Sequence, residues 1–332
     1  MQTTDHQASS HELKLIIIGG IPEPIGGVTT YLRRLLHRDS AQIEWLLDFY
    51  PGTKEPVRGD CQGKVIPLGG KVALLRWLWT NRSAQVGREV FFNFSTPRAL
   101  VLTLFAPKVK GTRWSLMLHH GSLTAGGGLR RRAIRWALSR FDEVKSLSEP
   151  QTAFYRAAGV EPGRVVAGSS YCEPADHVDD PDALAELARI RGRYGKVVVM
   201  SGFPKPLYNF QLGIDAVAAM NKSESDCALS LFIYGPGELR ARIRQFSVEY
   251  PWLFVFDGKT ERYFNTFLRQ CDLLMRLTAT ESFGISVWDA DHWERNILAS
   301  DVCRRPAKTI PINLYSCSLE RLKELIAAEL RG

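Results

Sequence analysis

The stretch Arg276-Leu-Thr-Ala-Thr-Glu281-Ser-Phe-Gly284-Ile-Ser286-Val-Trp-Asp289-Ala290 decides the reading of this chain. The run that feeds it, Cys271-Asp-Leu-Leu-Met-Arg-Leu277, has the length and composition of a strand buried in a parallel sheet. A small-residue loop with Ser282 and Gly284 breaks that run, and Val287, Trp288 and Ala290 read as the first turn of a helix. A strand, a glycine loop and a helix N-terminus in succession leave several amides free beside the positive end of the helix dipole. Such a turn holds an anion. A carboxylate stands at each end of it, Glu281 before and Asp289 after. Phosphate on the amides and sugar hydroxyls on the acids is the arrangement a nucleotide-sugar site needs.

Glu281-x7-Asp289 around Phe283-Gly284 resembles the Glu-x7-Glu element of retaining GT-B glycosyltransferases, specifically the family 4 group. Ala299-Ser-Asp-Val-Cys-Arg-Arg-Pro306 resembles the strand and turn that follow this helix in polysaccharide-assembly members. The resemblance implies an α/β fold of two Rossmann-like domains facing a central cleft. It also implies that Glu281 contacts the donor sugar as a catalytic residue, and that Phe283, Gly284, Ile285 and Ser286 hold sugar and diphosphate. Asp289 then falls on the ribose, one methylene shorter than the family's Glu.

At the other end of the chain, Leu13-Lys-Leu-Ile-Ile-Ile18 is a buried-strand signal that ends in Gly19-Gly20. The loop Ile21-Pro-Glu-Pro-Ile-Gly26-Gly27 follows, and Val28 to His37 reads as a helix with Tyr31, Leu32, Leu35 and Leu36 on its apolar side. Glycines at 19, 20, 26 and 27 with two prolines between them do not meet the G-x-G-x-x-G spacing of dinucleotide-binding dehydrogenases. The loop resembles instead the family's N-terminal Gly-Gly loop, which puts Gly26 and Gly27 near the donor phosphates.

Trp114-Ser-Leu-Met-Leu118 runs into His119-His120-Gly121, and the C-terminal end of a parallel strand is where open α/β sheets place ligands. The family's sugar-contacting His matches His120, with His119 as the alternative. In the second half, strands at about 30-residue spacing each lead into a helix, the pattern of a second parallel layer. In the family the turns after such strands border the nucleotide, so the resemblance makes Gly202, Gly235, Gly258 and Lys259 donor-side positions. The family's Arg and Lys pair for the diphosphate is reduced here to Lys205, with Arg276 or an arginine of the first domain as the substitute. An acidic, Pro-punctuated run from Glu173 to Asp182 marks the boundary. It divides the chain into an acceptor-side domain over 12–180 and a nucleotide-sugar domain over 181–332.

The bulk numbers narrow the class. A length of 332 residues, 45% hydrophobic and 23% charged, fits two globular domains. No apolar run approaches the roughly 20 residues that span a bilayer, and residues 1–10 lack the basic start of a signal peptide. Six scattered cysteines without a CxxC pair read as reduced thiols of a cytoplasmic protein. A formal charge of +8 calls for an anionic partner. No RNA-binding signature, zinc finger or recognition helix is present, which sets nucleic acid aside. Leu129 to Phe141 reads instead as a helix with Arg130, Arg131, Arg132, Arg135 and Trp136 available to an anionic membrane face.

Asp289-Ala-Asp291 spells the D-x-D of metal-dependent transferases, but inside a helix residues two apart diverge by about 200°. No metal and no cofactor are expected. The reading is a retaining glycosyltransferase that moves a sugar from a UDP- or GDP-linked donor to a lipid-linked or polysaccharide acceptor at the inner membrane face. The alternative is a catalytically weak GT-B subunit that serves as partner or scaffold, motivated by Asp289 and the single Lys205.

Overall fold

The computed structural model describes residues 13–21, 26–51, 61–121, 123, 128–174, 178–222 and 226–331. Residues 22–25 of the first glycine loop lie outside the described residues.

The first half runs β1 (Lys14–Gly19), α1 (Gly27–Arg38), β2 (Ile43–Asp48), β3 (Val65–Pro67), α2 (Lys71–Thr80) and β4 (Arg88–Phe94). It continues through α3 (Val101–Phe105), β5 (Arg113–Leu118), α4 (Gly128–Ser139), β6 (Glu143–Ser146), α5 (Glu149–Ala157) and β7 (Val165–Ala167). The second half opens with α6 (Pro181–Arg191), β8 (Lys196–Gly202), α7 (Phe210–Asn221), β9 (Cys227–Ile233) and α8 (Arg240–Glu249). Then come β10 (Leu253–Asp257), α9 (Glu261–Gln270), β11 (Leu273–Arg276), α10 (Ile285–His292), β12 (Asn296–Ser300), β13 (Ile310–Ile312) and α11 (Leu319–Arg331).

The strands form two sheets in which every described pairing is parallel, ordered β3-β2-β1-β4-β5-β6-β7 and β10-β9-β8-β11-β12-β13. Runs such as Lys196-Val-Val-Val-Met-Ser-Gly202 suit this architecture because helices cover both faces of each sheet and leave few positions for polar side chains. Strand order reverses between β1 and β4 in the first sheet, and between β8 and β11 in the second. Ligands of open α/β sheets bind beyond the strand ends at such reversals. The glycine loop after β1, the turn after β8 and the Glu281 loop after β11 all start there.

Two local features shape the second switch point. Asn209 opens α7 with a left-handed φ of 48°, and its Nδ2 donates to the Leu277 carbonyl at 2.8 Å. That bond ties the β8–α7 turn to the strand end that launches the site loop. The last helix, α11, buries Leu322, Ile326 and Leu330 against α7, β11 and β12, so it stays with the second domain.

On the outer side of the first domain, α4 buries Ile134, Ala137 and Leu138 and turns Arg130, Arg131, Arg132, Arg135 and Trp136 to solvent. Residues 97–105 divide into a 3₁₀ turn at Pro97–Leu100 and the short α3. α3 lies between α2 and α4. Val72, Trp79, Val101, Phe105, Leu129 and Trp136 are all exposed on these three adjoining helices. Among the described residues no helix is long and apolar enough to cross a membrane.

Candidate active site

The loops at the two switch points meet. From where a Cβ would stand on Gly26 and Gly27, the Phe203 ring is 3.6 Å away and the Ile285 side chain 4.0 Å. The N-terminus of α1 therefore faces the N-terminus of α10 across the cleft. At Gly121, just after His120, a Cβ would stand 2.7 Å from the Glu281 backbone, so only glycine lets the β5 loop close onto the site loop. Gly284 is fixed twice over. Its φ is 81°, and a Cβ there would meet Arg305 Nη1 at 2.3 Å and Glu281 Oε2 at 2.6 Å.

Glu281 is clamped. Arg276 donates to Oε1 through Nη2 and, at 3.2 Å, through Nε. Arg305 Nη1 donates to Oε2 at 3.0 Å and Thr278 Oγ1 lies 3.5 Å from the same oxygen. Burial alone raises the Glu281 pKa, but the two guanidiniums outweigh it and hold the carboxyl below its ordinary range. An ionised carboxylate offers about four acceptor sites, and all are engaged. Contact between Glu281 and a donor hydroxyl thus requires one of these donors to turn away. Arg276 also donates to the Ser201 carbonyl and lies 5.0 Å over the Tyr208 ring, which fixes it between the two strand ends.

Asp289 is held from the opposite domain. Arg34 of α1 reaches across with Nη1 to Oδ1 at 2.7 Å and Nη2 to Oδ2 at 2.9 Å, both side chains 4% exposed or less. The same guanidinium donates to Glu261 at 2.7 Å and to the Cys172 carbonyl at 2.9 Å, so one side chain joins α1, the linker, α9 and α10. Burial pushes the Asp289 carboxyl up to about 6 against the pull of Arg34, while the two acids outweigh burial at Arg34 and raise its pKa. Arg34 stands where the resemblance puts ribose. The space around it measures only about 100 Å³, below the roughly 300–1,000 Å³ of small-molecule pockets.

An adjoining cavity of about 320 Å³ opens beside Glu281, between Gly27, His120, Arg276 and Ile285. Of the positions singled out in sequence, Gly26, Gly27, His120, Gly202, Arg276, Glu281, Phe283, Gly284, Ile285 and Asp289 line these two cavities. His120 carries a buried Nδ1 with no partner, whereas His119 is bound through Nε2 to Asn93 at 3.1 Å and burial pushes its pKa down to about 3. His120 has the free hand. Lys205 and Lys259 lie outside the lining, exposed, with Nζ over the rings of Phe203 and Tyr263 at 5.6 and 4.4 Å. Gly235 and Gly258 make the left-handed turns after β9 and β10, and Ser286 sits half-buried in the first turn of α10. The exposed basic residues of α4 and Trp136 line neither of these cavities. No cluster of three His, Cys, Asp or Glu fit to hold a metal occurs among the described residues.

Sequence reasoning missed Arg34, Arg305 and Glu261. Arg34 left only a faint signal: it follows Tyr31 by three residues and so borders the apolar side of α1 rather than lying on it.

No protein-family model matches the chain, and no curated protein matches it in sequence. Solved structures do. HepE from Anabaena, in complex with UDP-glucose, superposes with a TM-score of 0.72 at 14% identity, over 95% of this chain and 89% of that one. WaaG, a glycosyltransferase involved in lipopolysaccharide biosynthesis, gives 0.68 at 15% identity, over 96% and 90%. The lipopolysaccharide outer core galactosyltransferase WaaB gives 0.57 at 13%, over 96% and 91%. The fold is therefore GT-B, two Rossmann-like parallel-sheet domains around a central cleft.

Arg34→Ala leaves Asp289 buried without its cation and is expected to cost about 3–5 kcal/mol in urea unfolding at pH 7. The double replacement Arg34→Met with Asp289→Leu should recover most of that loss. A single-variant cost under about 1 kcal/mol would mean that the pair contributes nothing across the interface.

Proposed function

We propose that the chain is a glycosyltransferase that moves a sugar from a nucleoside diphosphate donor to a glycan or lipid-linked acceptor, with retention, in the assembly of cell-surface glycan. The observation that carries this reading is the confrontation of two helix N-termini, α1 at Gly27 and α10 at Ile285, beside the Arg276 guanidinium. Free amides and two positive dipole ends make a seat for a diphosphate. Arg276 then supplies the cation that the β8 turn lacks and stabilises the charge that develops on the leaving diphosphate. No metal is needed for that. HepE is a neighbour of the same fold solved with UDP and with UDP-glucose, which favours a UDP-sugar here.

The contacts support the following roles. His120, which lines the 320 Å³ cavity and has a buried Nδ1 without a partner, bonds a hydroxyl of the donor sugar. Glu281 orients Arg276 and Arg305, and accepts from the sugar when Arg305 turns away. Asp289 receives the ribose in exchange for Arg34, so donor entry and release of the interdomain bridge are one event. The donor phosphate assists deprotonation of the acceptor, and closure of the cleft excludes water.

A second reading is favoured by one observation. Both signature acids are already satisfied by arginines, as in a GT-B subunit that acts as partner or scaffold.

The basic and aromatic face of α2, α3 and α4 is the surface we assign to an anionic membrane at the cytoplasmic side. Arginine heads beside exposed Trp136, Phe105 and Leu129 combine charge attraction with interfacial burial.

With a panel of UDP- and GDP-sugars, one donor should bind and turn over. Glu281→Gln should lower turnover by about 10²–10³ and His120→Ala by a smaller factor, with UDP affinity kept in both. Unaltered turnover in Glu281→Gln removes that residue from the chemistry, and a chain that binds no nucleotide leaves only the scaffold reading.

Sedimentation with vesicles containing phosphatidylglycerol should show salt-sensitive binding. Replacing Arg130, Arg131, Arg132 and Arg135 together by Gln should weaken it by about tenfold or more, since each basic residue near such a surface is worth about 1 kcal/mol. Equal partitioning of both proteins argues against this face.

A further inference from the structure

We propose that a groove on the linker side of the cleft binds an acidic stretch of glycan, the acceptor chain on which the sugar is placed; this rests on the transferase reading. The groove measures about 1040 Å³ and runs between the start of α5 and β7 on one side and the β12–β13 turn on the other. Its floor is aromatic. Phe283 stacks on Trp288 with ring centroids 5.3 Å apart, and Tyr171 lies 6.1 Å from Trp288. Aromatic faces with polar groups at their edges suit sugar rings, which are apolar on one face and hydroxylated around the rim.

Two unmet donors lie buried in residues that wall the same groove. Arg305, its side chain 6% exposed, spends Nε on the Ser300 carbonyl and Nη1 on Glu281 and the Phe283 carbonyl, and its Nη2 has no partner. Trp288 Nε1 is buried and equally unpartnered. A buried donor left without an acceptor is destabilising, and an oxyanion that displaces the wall enough to reach it removes that penalty. Arg304, exposed on the same turn, holds its guanidinium 6.0 Å over the Trp288 ring. A carboxylate or phosphate on a sugar lying along Trp288 thus meets two arginines. Arg305 is paired with Glu281 and Arg156 faces Glu149 at 3.8 Å on the far wall, so among the described residues Arg304 is the groove arginine without a carboxylate partner. The groove and the donor cavity share Phe283, so a chain in the groove ends beside the Glu281 loop.

Calorimetry on the full chain separates the parts. The probes are a galacturonate trisaccharide, glucose 1-phosphate, neutral maltotriose and UDP. The acidic trisaccharide or the sugar phosphate should bind, the better of the two identifying the anion, and maltotriose should bind at least about tenfold more weakly. Arg304→Ala and Trp288→Phe, which keeps the ring and removes the N–H, should each weaken acidic-sugar binding by about fivefold to tenfold. UDP on the same samples reports the donor reading separately. UDP binding with no acidic sugar bound, or with acidic-sugar affinity untouched by both variants, overturns the groove assignment. Acidic sugar bound without UDP leaves the groove standing and removes the donor site.

Discussion

Two helix N-termini that face each other across a cleft carry like partial charges, roughly half an elementary charge each. Everything around the site answers that constraint. Arg34, Arg276 and Arg305 add three guanidiniums, and Glu261, Glu281 and Asp289 return three carboxylates, each paired at short range. The side-chain charges balance and the dipole ends do not. What remains is a local excess of positive potential between Gly27 and Ile285, the place an anionic ligand fills best.

The same balance explains why the two domains sit so close. Arg34 is anchored on α1, yet three of its acceptors belong to other segments: Cys172 on the linker, Glu261 at the start of α9 and Asp289 on α10. A buried pair of this kind is a weak source of net stability against apolar side chains of equal volume, but it fixes geometry strongly because a lone partner is so costly. Gly121 and Gly284 serve the same closure by leaving out the Cβ atoms that would push the loops apart. On the proposed transferase reading, closure and donor recognition compete for one carboxylate, Asp289.

Much of this was legible in the sequence, and the parts that were not share a cause. Parallel strands announce themselves because both faces are buried, so β1, β8 and β11 appear as unbroken apolar runs. The turn at Gly284 was readable because a strand, small residues and a helix start lie within fifteen positions. His120 was separable from His119 only in three dimensions, since Asn93, which binds His119, comes from β4. Arg34 and Asp289 lie 255 residues apart, and no local pattern links a charge on one helix to its partner on the other domain. Lys205 shows the converse. It was the one basic residue the loop after β8 offered for a diphosphate, but between Pro204 and Pro206 its side chain is exposed and lies over Phe203.

Hydrogen exchange with and without UDP addresses the paired helix starts most directly. The amides of 26–30 and of 285–288 should gain protection together when UDP binds. If UDP binds while either segment exchanges as in the free protein, the anion does not lie between the two helices and the account of the cleft is wrong.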